Sequence, residues 1–579
     1  MPKAWRIAPH DPARIAALER AAGVPAVVAQ LLLARGIADP ADARLFLDPK
    51  LTGLRDPELL PGAAKAADVL FDAIRAKRRI TVYGDYDADG MTATAILVRC
   101  LQLLDAAVDY YVPHRIDEGY GLNGDALRKL AESGADVVVT VDCGIASPNE
   151  ADLAAELGLT LIVTDHHQMA DRLPRAAALV HPGLPGGDYP FPGLCGAAVA
   201  FKLAWALCQR ASENKRVTER MRQFLLQAVG LAAIGTVADV VPLVDENRIL
   251  VRHGIASLRA YPTPGAAALM RQAKLHEKHH LECEDLGYAL GPRLNAAGRL
   301  GQAEIGIELL ITHDEQRAEK LAQYIEELNL QRQTMERSMS RGAEKQARER
   351  FDPARDAALV LADHEWHAGV IGIVAGRLVD KHHLPAVVVA LDPLGVKPGI
   401  GSARSVPGFD LHRALAECGH LLESHGGHAA AAGLKVTNEN LPAFRRAFCE
   451  VAARELGGGA RSSELFVDAE TALNCLTRQT VQQIESLAPF GHGNLRPVLC
   501  ASNVRLAGPP KRIGGAGRHL SMMFDQQGVK MRAVAFGGGD WEEELAAASG
   551  DLSIAFRPVI NRYQGRVSVE IHLADWRAD

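Results

Sequence analysis

The sequence predicts an α/β protein of several domains, with a parallel sheet near its start and a small β-rich module at its end. The 579 residues suggest three to four domains, at roughly 150 residues per domain. From residue 78, short runs of Val and Ile alternate with helical stretches, a pattern typical of strands buried on both faces of a parallel sheet. From about residue 463, short β-type runs separated by turns indicate a small antiparallel sandwich or barrel.

Composition indicates a globular chain and excludes several classes. Hydrophobic residues make up 48% and charged residues 23%, which excludes a mainly disordered, collagenous or coiled-coil chain. The formal charge of −6 gives no overall basic balance, although a local basic path for nucleic acid is compatible with it. Nine scattered cysteines without a CxxC pair favour reduced thiols over a disulfide framework or a zinc ribbon.

Two features bear on location. The first twenty residues alternate charged and apolar side chains and lack the continuous apolar run of a secretory signal. The most apolar window, residues 225–244, is interrupted by glycines, an aspartate and a proline, so we predict no membrane span there. We therefore expect a cytoplasmic protein with no membrane partner.

The first half of the chain is predicted as a helical segment followed by an open, doubly wound sheet. Residues 1 to about 60 have a helical pattern with proline-containing breaks. The strand–helix–strand order that follows is the pattern of a parallel sheet covered by helices. The predicted elements are strands at 78–84, 135–142 and 159–165 and helices at 91–104 and 124–133.

A long helix is predicted at 312–350. Thr312 and Glu315 have the spacing of a capping box, in which each side chain bonds the other residue's backbone amide. Apolar residues then recur at steps of three or four, and a helix of this length would extend about 58 Å. A second α/β region with strands at 358–363 and 385–392 follows, up to a linker near residue 455.

Acidic and imidazole side chains cluster at the ends of the three predicted strands. Since ligand sites of open parallel sheets form at the carboxyl ends of strands, these groups should meet in one crevice. So many carboxylates would repel one another without cations, and a mixed Asp and His set suits Mn²⁺ or Mg²⁺. The groups are Asp85, Asp87 and Asp89 after the first strand, Asp142 after the second, and Asp165, His166 and His167 after the third.

Asp239 is a further candidate ligand, because a carboxylate embedded in an apolar stretch is costly unless it is paired or metal-bound. Two divalent ions about 3.5–4 Å apart would activate a water for in-line displacement at phosphorus, which predicts phosphoester hydrolysis. A single aspartate at a strand end is more often a turn former. His–His pairs also occur at 279–280 and 382–383, so only the joint pattern favours metal.

The motifs DYDADG, VDCG, DHH and ADVVPL resemble those of the DHH phosphoesterase superfamily. Their details are similar to its RecJ branch, the single-strand-specific 5′→3′ DNA exonucleases of bacteria. The resemblance extends over nearly the whole chain. It is supported by VPHRIDEGYGLN (112–123), GPRLNAAGRLG (291–301), WHAGVIGIVAGRL (366–378), GSARS (401–405), SHGGHAAAAG (424–433) and PFGHGN (489–494).

The resemblance implies four parts, and with the helical segment that the residue pattern predicts at 1–60 the chain has five. It also implies dependence on two Mn²⁺ or Mg²⁺ ions, exclusion of duplex DNA, release of mononucleotides and a role in DNA repair and recombination. Expected partners are single-stranded DNA, a helicase and a single-strand-binding protein, and we expect a monomer. The parts are an N-terminal segment 1–60, a DHH catalytic domain 61–311, a connecting helix 312–350, a DHHA1 domain 351–457 and a C-terminal OB-fold β-barrel 458–579.

The resemblance also assigns site residues. The implied metal ligands are Asp87, Asp89, Asp142, His166, His167 and Asp239. The implied catalytic residues are Asp85, Asp165, His166 and His167, with Asp165 orienting a histidine. The implied DNA-binding residues are Arg115, Arg293, Asn295, Arg299, Ser402, Arg404, His425 and His428, with Arg293 and Asn295 expected in a Gly- and Ala-rich loop.

Two alternatives remain at this stage. One is a DHH-type phosphodiesterase acting on short oligonucleotides or dinucleotides. The other is a non-catalytic scaffold that binds single strands. The C-terminal β module and GPRLNAAGRLG favour a long polymer substrate over the first, and the intact acidic and histidine positions favour an enzyme over the second.

Overall fold

The computed structural model describes residues 3–115, 117–212, 216–352, 356–457, 464–548, 550–563 and 565–578. The chain forms two compact units. The smaller consists of 1–55, 242–252 and 462–579, and the larger of 56–241 and 253–461. The predicted α/β class is confirmed, since parallel sheet, helices and a β-barrel are all present.

The strands of the described residues are short, except for the last two. In chain order they are β1 (Ala4–Ile7), β2 (Ile80–Tyr83), β3 (Val108–Tyr111), β4 (Val137–Val141), β5 (Thr160–Thr164), β6 (Ala178–Val180), β7 (Leu359–Asp363), β8 (Ala386–Ala390), β9 (Gly399–Arg404), β10 (Ser424–Gly427), β11 (Ala431–Val436), β12 (Glu464–Val467), β13 (Ala469–Glu470), β14 (Leu499–Leu506), β15 (Lys511–Ile513), β16 (His519–Gln526), β17 (Val529–Ala535), β18 (Leu552–Tyr563) and β19 (Arg566–Ala578).

The helices vary from a single turn to ten turns. In chain order they are α1 (Pro12–Ala22), α2 (Ala26–Ala34), α3 (Pro40–Leu47), α4 (Ala63–Arg75), α5 (Ala88–Leu103), α6 (Gly124–Glu132), α7 (Pro148–Glu156), α8 (Gly196–Arg210), α9 (Glu219–Ala238), α10 (Asp245–Ala260), α11 (Pro264–Gln272), α12 (Cys283–Asp285), α13 (Gly291–Arg299), α14 (Ala303–Ile311), α15 (Glu315–Arg350), α16 (Ile371–His382), α17 (Leu411–Glu417), α18 (Leu441–Leu456), α19 (Arg478–Glu485) and α20 (Glu542–Ala547).

The first sheet of the larger unit is parallel throughout, in the order β3-β2-β4-β5-β6. The three strands predicted from their Val- and Ile-rich runs are β2, β4 and β5, and every residue of β2 and β4 is buried. The outer strands β3 and β6 were not predicted. β3 carries an aspartate and two tyrosines at half-buried positions and β6 is three residues long, so neither has a continuous apolar run.

The second sheet of the larger unit has the order β10-β11-β9-β8-β7, in which only β7 and β8 are parallel to each other. In the sequence, the 36-residue helix α15 lies between the strands of the first sheet and those of the second. The predicted capping box at its start is wrong. Asp314 is the N-cap, and its carboxylate accepts from the amides of Gln316 and Arg317. The Thr312 hydroxyl accepts from the amide of Asp314 and not from that of Glu315.

The segment expected as a Gly- and Ala-rich loop is helical. A π-helical turn at Leu286–Leu290 leads into α13, which carries Arg293 and Asn295. The glycine content has a packing cause, since a Cβ at Gly298 would lie 1.8 Å from the carbonyl oxygen of Tyr86. Glycine therefore allows α13 to pack directly against the backbone that follows β2.

The smaller unit contains a closed barrel of five strands. The strands follow the order β14-β18-β19-β17-β16, and β16 returns to β14 through the pairs Arg505–Asp525 and Leu506–Phe524. Pairing is antiparallel except between β17 and β19. A five-stranded barrel with this order is an OB-fold, which confirms the predicted C-terminal barrel.

The N-terminal segment begins with a strand before its helices. β1 pairs in parallel with β12, and the buried leucines Leu31 and Leu32 of α2 share one hydrophobic core with the barrel residues Phe524 and Phe556. The segment is therefore part of the same unit as the barrel.

One helix, and one bent pair of helices, are long and apolar enough to cross a membrane by length and composition. α9 has a mean hydropathy of 1.3, and α1 and α2 pass together although they are bent by 109°. Of the most apolar stretch of α9, 61% is buried inside the protein, as in core helices of globular proteins.

Candidate metal centre and nucleic-acid site

The first three candidate aspartates lie at the junction of β2 and α5. Asp85 is buried, and its Oδ1 has no hydrogen-bond partner among the described residues. Asp87 caps α5 by accepting from the amide of Gly90 at 2.9 Å. Asp89 is buried in the first turn of α5 and accepts from the amides of Gly196 and Ala197, at 2.7 and 3.0 Å, at the start of α8.

Asp142 follows β4 directly and has a positive φ of 64°. This backbone conformation is uncommon outside glycine and costs on the order of 1 kcal/mol, so the surroundings must hold it. A Cβ at Gly196 would lie 2.4 Å from Asp142 Oδ1, so glycine there makes room for the carboxylate. Asp142 Oδ1 is 3.1 Å from His166 Nε2, and both atoms are buried without a hydrogen-bond partner among the described residues.

Asp165 follows β5 and holds the two histidines after it. Its Oδ1 accepts from the amides of His166 and His167 and from Nδ1 of His167 at 2.8 Å, while Oδ2 accepts from the amide of Ile145 at 3.0 Å. Burial acts to raise the pKa of Asp165, but the bonds from His167 and Ile145 outweigh it and lower that pKa. Burial acts to lower the pKa of His167, and Asp165 raises it to about 9.

Asp239 reaches the same crevice from the end of α9. Its side chain is 23% exposed, and Oδ2 lies 3.5 Å from His166 Nε2. Burial and repulsion from Asp89 and Asp87 raise its pKa to about 8. The described structure therefore brings together the groups from all three predicted strand ends and from α9.

Three overlapping groups of these residues place their ligand atoms within 4.8 Å of one another. Asp142 and His166 each belong to two of the groups. Shared ligands are expected where two ions lie about 3.5–4 Å apart. The groups are Asp142, His166 and His167; Asp89, His166 and Asp239; and Asp85, Asp87 and Asp142.

The electrostatics of the crevice fit a divalent cation. Burial and mutual repulsion raise the pKa of Asp89 to about 6 and hold those of Asp85 and Asp142 well above the usual carboxyl value. Burial and the neighbouring His167 lower the pKa of His166 to about 3, so its imidazole is neutral, as a metal ligand must be. Orphaned oxygens beside a neutral imidazole are the donors that Mn²⁺ and Mg²⁺ accept in proteins.

Four of the predicted DNA-binding residues are close together, and we call Arg115, Arg299, Ser402 and Arg404 the arginine cluster. Arg115 stacks on the ring of Tyr86, with Cζ 4.6 Å from the ring centroid. Burial and the charges of Arg115 and Arg404 lower the pKa of Arg299 to about 10. Arg404 donates to Ser402 Oγ at 3.2 Å. Guanidinium groups gathered in this way suit an anionic ligand such as a phosphate.

The other predicted DNA-binding residues lie outside the arginine cluster. Arg293 pairs with Glu326 of α15, with 2.6 Å between Nε and Oε2, and Asn295 Oδ1 accepts from the amide of Ala88 at 2.9 Å. Both side chains therefore fix α13 against its neighbours. His425 and His428 are exposed on and just after β10, which is two strands, or about 10 Å, from β9.

Two residues of the crevice were missed by sequence reasoning. The hydroxyl of Tyr120 lies 2.9 Å from His167 Nδ1, and Nε2 of His181 donates to the carbonyl of His167 at 2.9 Å. The position of His181 directly after β6 was a usable signal, but β6 is too short to be recognised from the sequence.

Three family models match the chain. The DHH family, N-terminal domain, matches residues 79–236, the DHHA1 domain matches 356–454, and the RecJ OB domain matches 467–575. These segments contain the parallel sheet, the mixed sheet and the barrel, respectively.

Curated and solved relatives match nearly the whole chain. The single-stranded-DNA-specific exonuclease RecJ of Bacillus subtilis strain 168 is 37% identical over 99% of this chain and 70% of its own length. The crystal structure of RecJ from Thermus thermophilus in complex with Mn²⁺ has a TM-score of 0.83 and 32% identity, covering 99% of this chain and 79% of that one. Its complex with Mg²⁺ has a TM-score of 0.77 and 31% identity, covering 99% and 78%. Because the matching domains, the sequence identity and the structural similarity extend over nearly all of this chain, the chain belongs to the RecJ family.

Proposed function

We propose that this chain is a metal-dependent exonuclease specific for single-stranded DNA, which degrades it from 5′ to 3′ and releases 5′-mononucleotides in DNA repair and recombination. The observation that carries the proposal is a trio of buried atoms, Asp85 Oδ1, Asp142 Oδ1 and His166 Nε2, that have no hydrogen-bond partner among the described residues. Membership of the RecJ family, and the Mn²⁺ and Mg²⁺ complexes of its Thermus member, support the same chemistry.

The proposed metal ligands are the six residues of the crevice that the family motifs mark, and Asp85 faces the same ions. When bound, two Mn²⁺ or Mg²⁺ ions polarise the scissile phosphate and lower the pKa of a coordinated water. Asp165 accepts a hydrogen bond from Nδ1 of His167 and so keeps that ring in place. Because Asp165 also raises the pKa of His167 to about 9, the ring would lose a proton when it binds a metal. The six are Asp87, Asp89, Asp142, His166, His167 and Asp239.

The arginine cluster is the proposed binding site for the 5′-terminal phosphate. Its guanidinium groups offer paired donors to phosphate oxygens, and Ser402 adds a hydroxyl. Arg293 and Asn295 act indirectly in this proposal, by positioning α13 beside the turn that carries Asp85 and Asp87. His425 and His428 are exposed on the second sheet and contact the incoming strand further from its end.

The wider assignments follow the family. We propose the domain division 1–60, 61–311, 312–350, 351–457 and 458–579, with the barrel as a binding surface for single strands. A helicase would supply the single strand and a single-strand-binding protein would present it. A monomer in the cytoplasm is the proposed working form.

The test uses 5′- and 3′-labelled single-stranded DNA and a matching blunt duplex, each with Mn²⁺, Mg²⁺ or EDTA. Release of labelled mononucleotides from the 5′ end of single strands, dependent on metal and absent from duplex, is the expected result. Binding of DNA without cleavage in any metal would instead indicate a scaffold. Cleavage confined to dinucleotides would indicate a phosphodiesterase acting on short substrates.

A further inference from the structure

A second polar cavity lies at the ends of α5 and α9 that are remote from the metal crevice. It has a volume of about 300 Å³. Ten residues of α5 separate Asp89 from Arg99, which corresponds to about 15 Å along the helix axis. The cavity is lined by Arg99, Gln102, Leu103, Arg220, Gln223, Phe224, Gln227, Pro264 and His313.

Among the described residues, the lining carries donors and cationic groups and includes no carboxylate. Arg99, Arg220 and His313 supply the cationic or titratable nitrogens, and three glutamines supply amide groups. Burial and the charges of Arg99 and Arg220 lower the pKa of His313, as expected when cationic groups face one another without an anion between them.

The charge of Arg99 is the main indication of what the cavity binds. Arg99 is 8% exposed, and its Nη2 donates to Gln227 Oε1 at 2.8 Å, while Nη1 is 3.5 Å from the carbonyl oxygen of Leu310. Among the described residues, no carboxylate oxygen lies within ion-pair distance of its guanidinium group. Leaving a charge buried and unpaired is costly, so an anion is the missing partner.

A buried arginine elsewhere in the same unit shows the contrast. Arg332 of α15 is similarly enclosed, and its Nη1 lies 2.6 Å from an oxygen of Glu336. Arg332 therefore has a carboxylate partner, whereas glutamines surround Arg99.

Two helix starts border the cavity, and so does the carboxyl end of α5, which carries the opposite partial charge. α11 begins at Pro264, which lines the cavity, and α9 begins one residue before Arg220. The amino ends of helices carry partial positive charge and favour phosphate groups nearby. A guanidinium fork also matches the geometry of phosphate oxygens.

We propose that this cavity is a phosphate-binding site separate from the metal crevice, with Arg99 at its base and Arg220 and His313 at its rim. Its ligand is a phosphate group carried by a free nucleotide or by the DNA backbone. The site goes beyond the proposed exonuclease activity, because neither its residues nor its chemistry are needed for hydrolysis.

The test is calorimetric titration of inorganic phosphate into the full chain in EDTA, on an Arg404→Ala background that removes a phosphate contact of the arginine cluster. We expect phosphate to bind the Arg404→Ala variant. Adding Arg220→Ala and His313→Ala should weaken binding about tenfold or more, since one of the two guanidinium groups and the imidazole donor are lost. Both residues are exposed, so the fold should persist, as a thermal melt would verify.

Arg222→Ala on the same background is the matched control. Arg222 is an exposed arginine of α9 that pairs with Glu219 and does not line the cavity. Equal phosphate affinity in the control and in the cavity variant would overturn the proposal. Loss of all phosphate binding on Arg404→Ala alone would also overturn it.

Two further ligands identify the source of the phosphate. A deoxynucleoside 5′-monophosphate that loses affinity in the cavity variant, while an oligothymidylate does not, would mark a free nucleotide as the ligand. The reverse result would mark the DNA backbone. Because EDTA prevents metal-dependent cleavage, these results stand whether or not the chain proves to be an exonuclease.

Discussion

At the scale of residues, the crevice contains buried carboxyl groups that repel one another when ionised and that a bound cation would stabilise. Asp142 occupies a left-handed backbone conformation, and its buried Oδ1 faces an imidazole nitrogen without a hydrogen bond. The carboxylates beside it are held above their usual pKa by burial and by one another. Local strain and repulsion of this kind are typical of sites built to bind a ligand.

Asp142→Asn should remove a carboxylate ligand that two of the three candidate ligand groups share. We expect turnover to fall by roughly 10²-fold or more, because several kcal/mol of transition-state stabilisation depend on the bound ions. Steady-state cleavage of labelled single strands measures the loss, with Mn²⁺ titrated to saturation. The control is Asp171→Asn, an exposed aspartate whose replacement should leave turnover unchanged. Normal activity of Asp142→Asn would contradict the assignment.

Metal binding should release protons near neutral pH. Asp239 has a pKa of about 8 in the metal-free protein, so it is largely protonated at pH 7, and a bound cation requires the carboxylate. Mn²⁺ affinity should therefore rise between about pH 6 and 8. Calorimetry in buffers of different ionisation enthalpy counts the protons released. The Asp239→Asn variant should release fewer protons on binding Mn²⁺. Unchanged proton release in that variant would contradict the raised pKa of Asp239.

At the scale of elements, helices α13 and α15 hold in place the parts of the unit that surround the ends of the parallel strands. α13 packs on the backbone beside Asp85 through Gly298, and Asn295 caps the start of α5. α15 buries Leu321 and Ile325 near its start, and Met339 and Ala343 further on pack in the core of the second sheet. α13 therefore contacts the candidate metal turn, and α15 links α13 to the second sheet.

Gly298→Ala should destabilise the protein and impair the metal crevice together. The new Cβ would lie 1.8 Å from the Tyr86 carbonyl oxygen, and overpacking of this kind costs about 1–3 kcal/mol or more. Urea unfolding measures the stability and Mn²⁺ titration measures the crevice. Gly376→Ala is the matched control, since nothing lies within 4 Å of its added Cβ, and should stabilise the helix by about 0.5–1 kcal/mol.

Glu336→Gln should weaken the attachment of the second sheet to α15. Glu336 is 2% exposed and pairs with Arg332 and with Arg377 of α16, so the change leaves two guanidinium groups without their carboxylate. Breaking a buried ion pair costs about 3–5 kcal/mol. Urea unfolding should show this loss, whereas Glu327→Gln, an exposed position of the same helix, should shift stability by less than about 0.5 kcal/mol.

At the scale of the whole molecule, the net charge of −6 conceals cationic surfaces that a strand would follow. The arginine cluster is one such surface in the larger unit, and the barrel of the smaller unit has a fold that commonly binds single strands. We expect the contacts with DNA to be mainly with phosphates, and binding to be correspondingly sensitive to salt.

Salt should weaken the action on long strands more than on short ones. Each phosphate contact releases counterions, so the logarithm of kcat/KM should fall linearly with the logarithm of salt concentration, with a steeper slope for longer strands. Cleavage rates of oligothymidylates of increasing length, measured across a KCl series, test this. A slope independent of length would indicate that DNA is held only at the metal crevice.

Local patterns in the sequence were enough to predict several elements and the chemistry of the crevice. Apolar runs predicted β2, β4 and β5, the three- and four-residue steps predicted α15, and position at strand ends predicted the aspartates and histidines of the crevice. Contacts between residues that are distant in sequence could be seen only in the fold. Arg293 meets Glu326, Asn295 meets the start of α5, and the described residues around Arg99 form a cavity without a carboxylate, because such contacts depend on how helices pack and not on local periodicity.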